Sequence, residues 1–456
     1  MVLPLEAPGA LVDVSAPSQL SPGERLYRAR RIGTTFGRIY LGIKANQFVA
    51  QRLRPPDMRE RWSRFNRESA KSIYDAAVDL RGLILKGCQF LGSRADVLPP
   101  EYVKVLSKLQ DRVPHRPFSV IRRSVERELG RPLDSVFRSF STRPIAAASL
   151  AQVHEARLLD GTRVAVKVQY PEIEALVRSD LANLRLLFRA VGVVERDLDL
   201  MPLVDELGAQ VPLELDFVNE GHNAEAAAEL FRERGDVVVP AVHWEWTTRR
   251  VLVMEFVEGI KITDLEGLEK AGVDPSRVAR LLVEAYCEQV LVAGFFHADP
   301  HPGNLFVQPE GPKLVLVDFG LTKKLPPHFR EHLVELALAL LREDPPAMAR
   351  AFLSLGFETR DGGSESLVEI ARMFLEIAKE LRERPSARSD TIERLRRELP
   401  ERIRANPIVR VPSHVVLLGR VLGLLSGVGR SLGAELDLVE ILLPYVMRSR
   451  AAGGGA

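Results

Sequence analysis

The feature that most restricts the fold of this chain is a pair of polar loops separated by two short apolar runs. The first loop is His297-Ala298-Asp299-Pro300-His301-Pro302-Gly303-Asn304, and the second is Asp318-Phe319-Gly320. A β-like run over 314–317 leads into Asp318, so a strand-turn-strand unit around 304–318 should bring the second loop close to the first. The prolines exclude a helix in the first loop, and its two histidines are therefore not a helical zinc pair. We expect His297 to form hydrogen bonds within the loop and leave the role of His301 open.

The polar residues of these loops have the identities and order that phosphoryl transfer from ATP requires. In protein kinases an Asp orients the nucleophile, an Asn five residues later binds Mg²⁺, and the Asp of a later Asp-Phe-Gly joins the metal to the phosphates. Asp299 is therefore the candidate catalytic residue, and Asn304 and Asp318 are the candidate metal ligands. Mg²⁺ prefers oxygen ligands and shares them with phosphates, so one amide and one carboxylate suffice. The predicted cofactors are ATP and Mg²⁺.

A second candidate site residue lies upstream, in Val164-Ala165-Val166-Lys167. This run follows another apolar run across Asp160-Gly161, which predicts a β-hairpin. Lys167 then corresponds to the strand lysine that holds the α- and β-phosphates and acts in catalysis.

Two features of ordinary protein kinases are missing from the sequence. A run of Pro144-Ile145-Ala146-Ala147-Ala148-Ser149 stands where a glycine-rich phosphate loop is expected. Alanine restricts φ and the approach of the backbone, so the nucleotide must be held differently. Few residues separate Gly320 from the helical pattern that starts near His328, and no Ala-Pro-Glu platform follows. Phosphorylation of proteins is therefore disfavoured.

The order of β-rich and helical segments predicts an α+β, protein-kinase-like two-lobed fold with an N-terminal helical extension. The predicted divisions are a tail and basic amphipathic segment (1–68), a helical extension (69–135), an N-lobe (136–258) and a helical C-lobe (259–450). Residues 1–22, 384–389 and 451–456 lack periodicity and are expected to be a lead-in, a loop and a frayed tail.

The segment 24–68 carries twelve Arg or Lys residues against four acids, with aromatic and aliphatic residues between them. One interpretation is an amphipathic segment that docks on anionic lipid; the other is a solvated helix that packs its apolar side on the body. The apolar run 415–428 is too short and too interrupted by Arg420 to span a membrane. The two cysteines, Cys88 and Cys287, fit buried positions in a reducing compartment. These patterns predict a cytoplasmic chain, or one peripheral to the inner face of a membrane. The net charge of +2 gives no reason to expect nucleic acid as a partner.

Taken together, these motifs resemble the AarF/UbiB/ADCK family of atypical kinase-like proteins, from about residue 70 to 340 and more loosely to 440. The alanine-rich loop is followed by Gln152-Val153-His154, as in the family. Lys86-Gly87-Cys88-Gln89 resembles its Lys-x-Gly-Gln helix, with Cys88 in the place of the usual glycine. Glu214-Leu215-Asp216 resembles its Glu-x-Asp motif, and Glu220 stands where the family has the helix glutamate that faces the lysine.

The resemblance implies a nucleotide site formed by Ala146, Ala147, Ala148, Ser149, Val153, Lys167 and Glu220, with hinge contacts to adenine at Glu255 and Val257. It also implies that the Lys86/Gln89 helix covers this site, that Lys86 contacts Glu214 and Asp216, and that this regulatory group blocks peptides. The implied activity is that of an ATPase or small-molecule kinase in quinone or isoprenoid lipid metabolism, such as ubiquinone biosynthesis, with a lipid or isoprenoid as partner. A soluble phosphotransferase of the aminoglycoside or choline kinase type and a non-catalytic ATP-binding scaffold remain the alternatives.

Overall fold

The computed structural model describes residues 20–53, 55–92, 98–109, 115–195, 201–383, 398, 403, 406–434 and 436–453. The predicted loop at 384–389, nearly all of the predicted lead-in and the end of the predicted tail lie outside these residues. The chain forms two compact units, Met1–Val218 with His243–Phe256 and Asn219–Val242 with Val257–Ala456. Each predicted division is one continuous stretch of the chain. Each of the two compact units, in contrast, consists of two separate stretches.

The first unit has helices both before and between the strands of its sheet in chain order. They are α1 (Pro22–Arg52), α2 (Met58–Leu80), α3 (Gly82–Gly92), α4 (Pro100–Leu106), α5 (Phe118–Leu129), α6 (Ile173–Val194) and α7 (Met201–Glu214). Ser21 and Glu24 form a capping box that starts α1, and Pro100 occupies the first turn of α4. The N-terminal region is therefore helical, as predicted.

The sheet of the first unit positions the candidate lysine. Its strands are β1 (Phe137–Phe140), β2 (Ala146–Ala147), β3 (Ala151–Leu158), β4 (Arg163–Gln169) and, after β5 (Val237–Val238) of the second unit, β6 (Val251–Glu255). The order is β1-β3-β4-β6, with β2 paired to β3, and every pairing is antiparallel. β3 and β4 form the predicted hairpin, in which Gly161 has a φ of +92° that favours glycine.

The second unit holds the two polar loops. Its helices are α8 (Phe217–Leu230, from Asn219 onward), α9 (Leu265–Lys270), α10 (Pro275–Cys287), α11 (Pro327–Leu341), α12 (Pro345–Leu355), α13 (Glu365–Glu383), α14 (Ser413–Ser431) and α15 (Leu438–Gly453). Its further strands are β7 (Ile260–Lys261), β8 (Phe295–His297), β9 (Leu305–Gln308), β10 (Lys313–Leu316), β11 (Thr322–Lys324), β12 (Glu358–Thr359) and β13 (Ile408–Arg410).

A four-stranded sheet of order β5-β10-β9-β7 supports the loops, and β8 pairs with β11 beside them. β5 pairs in parallel with β10, which explains why the segment 219–242 belongs to the second unit. Such a long-range pairing has no local signature in the sequence. Leu305, Val307, Leu314 and Leu316 are fully buried, so the apolar side chains of β9 and β10 anchor the strand-turn-strand unit.

The architecture is α+β, as predicted. Both cysteines are buried thiols without a disulfide. Within the part of the chain that the structure describes, no helix combines the length and apolar character needed to cross a bilayer.

Candidate functional site

His297 ties the two polar loops of the second unit together. Its side chain is 1% exposed, and its Nδ1 accepts a hydrogen bond from the Asp299 N–H at 3.1 Å. The Nε2–H must then be the donor to the carbonyl oxygens of Val317 at 3.2 Å and Asp318 at 2.8 Å. The predicted hydrogen-bonding role of His297 is therefore confirmed, and neither ring nitrogen is left for a metal.

The backbone carbonyl of Asp299 holds the first loop together. The carbonyl oxygen of Asp299 accepts hydrogen bonds from the His301 N–H at 2.7 Å and from Nδ2 of Asn304 at 3.2 Å. With Nδ2 used in this way, Oδ1 is the atom of Asn304 suited to bind a cation. His301, whose role the sequence left open, accepts the Gly303 N–H at Nδ1 and so caps the short 3₁₀ turn Pro302–Asn304. The Val317 N–H donates to the Asn304 carbonyl at 3.1 Å, which holds the second loop beside the first.

Asp318 has a strained backbone. Its φ of +63° lies in the left-handed region, which costs a non-glycine residue roughly 1–2 kcal/mol. Phe319 is 2% exposed and packs edge-on against the His297 ring at 5.2 Å, while its carbonyl accepts a hydrogen bond from Nδ2 of Asn223 at 3.1 Å. Contacts on both sides of the loop therefore hold Asp318 in a conformation that it does not favour by itself.

Glu220 faces the Asp318-Phe319-Gly320 segment from α8. Its side chain is buried, and a Cβ added to Gly320 would lie 3.4 Å from Oε2 of Glu220 and 3.3 Å from Oδ1 of Asp318. Glycine is favoured at position 320 because two carboxylates approach it. The pairing of Glu220 with Lys167 stays a prediction, since the two residues belong to different units.

Arg420 is a site residue that the sequence reasoning missed. Its Nη2 lies 2.9 Å from Oδ1 of Asp299, and the Arg420 side chain is 9% exposed against 23% for Asp299. In the sequence, Arg420 was only an interruption of the apolar run 415–428. An arginine alone on an apolar helix must nevertheless find a partner when it is buried, which was the available signal.

Tyr286 of α10 is the second site residue that the sequence did not indicate. It is buried, and its hydroxyl has no hydrogen-bond partner among the described residues. Burial, with a smaller contribution from the Asp299 charge, raises the pKa of Tyr286 well above its usual value. The phenol therefore stays protonated and neutral near Asp299.

In the first unit, the pairing register places three predicted nucleotide contacts in one row across the sheet. Ala146 pairs with Val153, Val153 with Lys167, and Lys167 with Leu252. Directly paired residues project from the same face of a sheet, so Ala146, Val153 and Lys167 share a face. Lys167 is 8% exposed, and its Nζ lies 5.2 Å from the centre of the Phe217 ring.

The alanine-rich segment is more ordered than the loop that the sequence predicted. Ala146 and Ala147 form the short strand β2, because their backbone pairs with β3. The Ala148 N–H then donates to the Ala151 carbonyl at 2.8 Å, the Tyr170 hydroxyl donates to the Ala148 carbonyl at 3.2 Å, and Ser149 is buried. The turn is thus held by hydrogen bonds where a glycine loop would be mobile.

The predicted contact between Lys86 and the Glu-x-Asp motif is present at Glu214. Nζ of Lys86 lies 2.8 Å from Oε2 of Glu214, and Gln89 donates to the Leu109 carbonyl at 2.9 Å. Asp216 accepts the Val218 N–H at 3.1 Å. Cys88 is buried in the core, and α3 runs unbroken through it, so the substitution of the usual glycine leaves the helix regular. The regulatory role of these residues stays a prediction.

The predicted hinge residues lie where the chain leaves the first unit. Glu255 is exposed at the end of β6, and Val257 is the first residue of the next segment of the second unit. Between them, the Phe256 N–H donates to the Arg163 carbonyl at 3.2 Å, and the Arg163 guanidinium lies 4.0 Å over the Phe256 ring. The contact with adenine is untested.

The ligand set of the second unit fits Mg²⁺ better than zinc. Among the described residues, no group of three or more His, Cys, Asp and Glu side chains converges on one point. As the predicted ligands, Asn304 and Asp318 would provide one amide and one carboxylate oxygen, and the Glu220 carboxylate approaches the same segment at Gly320. Zinc would require four ligands rich in Cys or His, whereas Mg²⁺ takes one or two protein oxygens together with phosphate and water.

Comparisons with known proteins identify the family to which the chain belongs. Residues 108–352, just over half of the chain, match the ABC1 atypical kinase-like domain. The chain is 31% identical over 435 residues to an uncharacterized protein of Synechocystis sp., covering 95% of this chain and 74% of that protein. It is 40% identical over 280 residues to AarF domain-containing protein kinase 1 of Xenopus tropicalis, covering 60% of this chain and 54% of that one. It is also 40% identical over 293 residues to the chloroplastic protein Activity of BC1 Complex Kinase 8 of Arabidopsis thaliana, covering 63% of this chain and 38% of that one.

The chain thus spans about half or less of the length of these last two relatives. Among solved structures, Rv3197 of Mycobacterium tuberculosis, determined as a complex with erythromycin, superimposes with a TM-score of 0.56 at 24% identity. This match covers 82% of our chain and 94% of that one, and it supports the fold alone. From the family match and the similarity over nearly its full length, the chain belongs to the AarF/UbiB/ADCK family of ABC1 atypical kinase-like proteins and has the protein-kinase-like fold with an N-terminal helical region.

Proposed function

We propose that this chain binds Mg-ATP and acts as an atypical kinase or ATPase. The observation that carries the proposal is the cross-linking of the two polar loops through the buried His297. One side chain orients both Asp299 and Asp318 through their backbone groups. A non-glycine residue held in a sparsely populated backbone conformation is typical of functional sites, and Asp318 is such a residue.

The residues take the following roles in this proposal. Asn304 and Asp318 hold the metal through oxygen atoms, and Lys167 contacts the α- and β-phosphates. Bound Mg-ATP supplies the electrophilic phosphoryl group and the charge neutralisation. Asp299 orients a hydroxyl or water through Oδ2, since Arg420 engages Oδ1.

A second candidate, the non-catalytic ATP-binding scaffold, is favoured by the same ion pair. A carboxylate oxygen that is held by a guanidinium is not free to orient a nucleophile. If Arg420 never releases or reorients Asp299, the protein would use nucleotide only as a conformational ligand.

The test compares the wild type with Asp318→Asn in nucleotide binding and in Mg²⁺-dependent phosphate release. We expect the wild type to bind a fluorescent ATP analogue in Mg²⁺ and more weakly in EDTA. Loss of the metal ligand should reduce phosphate release by about 100-fold or more. Asp205→Asn removes an exposed carboxylate of α7 and serves as the matched control. Binding without turnover in any condition would favour the scaffold, and no nucleotide binding at all would refute the proposal.

We further propose, from the family resemblance, that the activity serves quinone or isoprenoid lipid metabolism. Phosphate release in the presence of a prenol or a quinone precursor, compared with soluble amino alcohols and aminoglycosides, tests this assignment. Stimulation by a soluble hydroxyl compound alone would favour the small-molecule phosphotransferase alternative.

A further inference from the structure

Helix α1 exposes a face that joins large apolar and basic side chains, which we call the outer face. It contains Leu26, Arg30, Leu41, Lys44, Phe48 and Arg52. Their spacings of 3, 4 and 11 residues place them on one side of an α-helix. Leu26, Leu41 and Phe48 are 71%, 68% and 61% exposed. Had the apolar residues of the segment 24–68 all served to pack it on the body, these three would be buried.

The opposite side of α1 is firmly packed, so the exposure of the outer face does not come from a loose helix. Ile32 is 2% exposed, and Phe36 packs edge-on against Phe188 of α6 at 6.3 Å. Arg28 is buried and donates to both carboxylate oxygens of Asp180. The helix is therefore a rigid support that presents its outer face to solvent.

The charge of α1 is strongly one-sided. Its only acidic residue is Glu24, which caps its own first turn, whereas it has seven Arg or Lys residues. Lys44 pairs with Glu195. The other cations on or beside the outer face form no ion pair with any described residue; these are Arg30, Arg38 and Arg52. The outer face therefore suits an anionic counterpart.

We infer that the outer face of α1 docks on an anionic lipid bilayer, with the helix axis parallel to the membrane surface and Leu26, Leu41 and Phe48 inserted. Interleaved apolar and basic residues on one helix face are the pattern of interfacial helices. The three apolar residues are separated along the axis by roughly 22 Å and 10 Å, from a rise of 1.5 Å per residue. A bilayer accepts such separated anchors, whereas a protein interface concentrates its binding energy in one contiguous core.

The charge also argues against a second copy of the chain on this face. A two-fold interface would bring Arg30 and Arg52 of both copies together without any carboxylate from α1 to compensate them. This docking goes beyond the proposed ATP chemistry, because it uses neither the polar loops nor Lys167.

The test is co-sedimentation of the full chain with vesicles of phosphatidylcholine alone and of phosphatidylcholine with phosphatidylglycerol. We expect binding to the anionic vesicles and weakening with added salt. The double variant Leu41→Glu with Phe48→Glu should bind about ten-fold more weakly or worse, because it places charge at the inserted positions. Leu186→Glu with Val193→Glu changes residues of α6 that are 71% and 79% exposed, and should bind like the wild type.

A charge variant separates electrostatic from apolar binding. In the double variant Arg30→Gln with Arg52→Gln, the affinity for anionic vesicles should fall about five-fold for each arginine removed. Each basic residue near an anionic surface strengthens binding by about that factor. Arg178→Gln with Arg189→Gln on α6 gives the same change in net charge and should bind like the wild type. Thermal melting of all variants checks that they are folded.

Absence of binding to anionic vesicles, or equal losses in the α1 and α6 variants, would overturn the inference. So would self-association that disappears in the Leu41/Phe48 variant, which would assign the face to a second copy. Binding to soluble polyglutamate without binding to vesicles would assign it to an acidic protein. Asp318→Asn should bind vesicles like the wild type, so that failure of the proposed function and failure of this inference can be told apart.

Discussion

Each compact unit of this protein contains an arginine–aspartate pair, and the two pairs differ in burial and in the number of carboxylate oxygens that the arginine engages. In the first unit, Arg28 donates to both oxygens of Asp180 at 2.8 and 2.5 Å and to the Leu80 carbonyl at 2.6 Å. The Asp180 side chain is completely buried. In the second unit, Nη2 of Arg420 lies 2.9 Å from Oδ1 of Asp299, whose side chain is 23% exposed. Both oxygens of the buried Asp180 carboxylate accept hydrogen bonds, so this carboxylate stabilises the fold. Asp299 is partly exposed and its Oδ1 is engaged by Arg420, so Oδ2 is the oxygen proposed for chemistry.

The pair in the first unit should therefore be needed for stability, which gives the largest expected effect. Asp180→Ala leaves the Arg28 guanidinium buried without its partner, so the first unit should lose about 3–5 kcal/mol. The measurement is urea unfolding followed by tryptophan fluorescence, because Trp62, Trp244 and Trp246 all belong to the first unit. Asp205→Asn is the control, and a loss below about 1 kcal/mol would show that the pair is not structural.

The pair in the second unit should instead be needed for turnover. Asp299→Asn keeps the size of the side chain but cannot accept a proton, so phosphate release should fall about 1000-fold. Nucleotide affinity and the thermal unfolding of the second unit should change little. A large loss of stability with unchanged activity per folded molecule would reverse the comparison.

The pH dependence of stability offers a third test. Burial raises the pKa of Asp180 from 3.8 to about 6, against the opposing effect of Arg28. The folded state then holds a proton between these values that the unfolded state has lost. The contribution of Asp180 to the stability must therefore fall as pH rises from about 4 to about 6 and stay level above that range. Tryptophan-monitored unfolding should show this slope in the wild type and not in Asp180→Asn.

Arg420 should act as a positioning residue with a smaller effect. Arg420→Gln is expected to lower kcat about ten-fold and leave the KM for ATP unchanged, because Asp299 would lose orientation and not nucleotide contact. Arg420→Lys keeps one charged donor and should restore part of the loss. An increase of kcat in Arg420→Gln would mean that the ion pair restrains Asp299.

The smallest effect is expected for the ion pair between Lys86 and Glu214, because both side chains are partly exposed to water. The Lys86 side chain is 25% exposed and that of Glu214 is 12% exposed, so Lys86→Ala should cost no more than about 1 kcal/mol of stability in the first unit. A clear change in phosphate release with so small a loss of stability would support a regulatory role. A change in stability alone would contradict it.

The sequence allowed the prediction of those parts of the site whose chemistry is local. Asp299, Asn304 and Asp318 lie within 20 residues, with prolines and β-like runs that limit how the backbone can pass between them. Lys167 lies at the end of a hairpin whose turn is encoded by Asp160-Gly161. In such segments, spacing and propensity alone restrict the geometry.

The parts that could not be predicted depend on contacts between distant segments. The pairing of β5 with β10 assigns 219–242 to the second unit, and nothing local in Val237-Val238 indicates it. The segment 24–68 had two interpretations, docking on anionic lipid and packing of its apolar side on the body. Which apolar residues are covered depends on the segments that pack against the helix, and these are distant in sequence.

For this protein, the sequence by itself determined the family, the α+β fold and the identity of the polar groups, because these follow from short-range spacing and residue chemistry. Only the tertiary structure decided that Asp299 forms an ion pair with Arg420 of α14 and that Glu220 approaches Gly320. It also decided that α1 exposes a basic and apolar face to solvent. The physical reason is that burial and charge pairing depend on which distant segments pack together, and packing is decided by the chain as a whole.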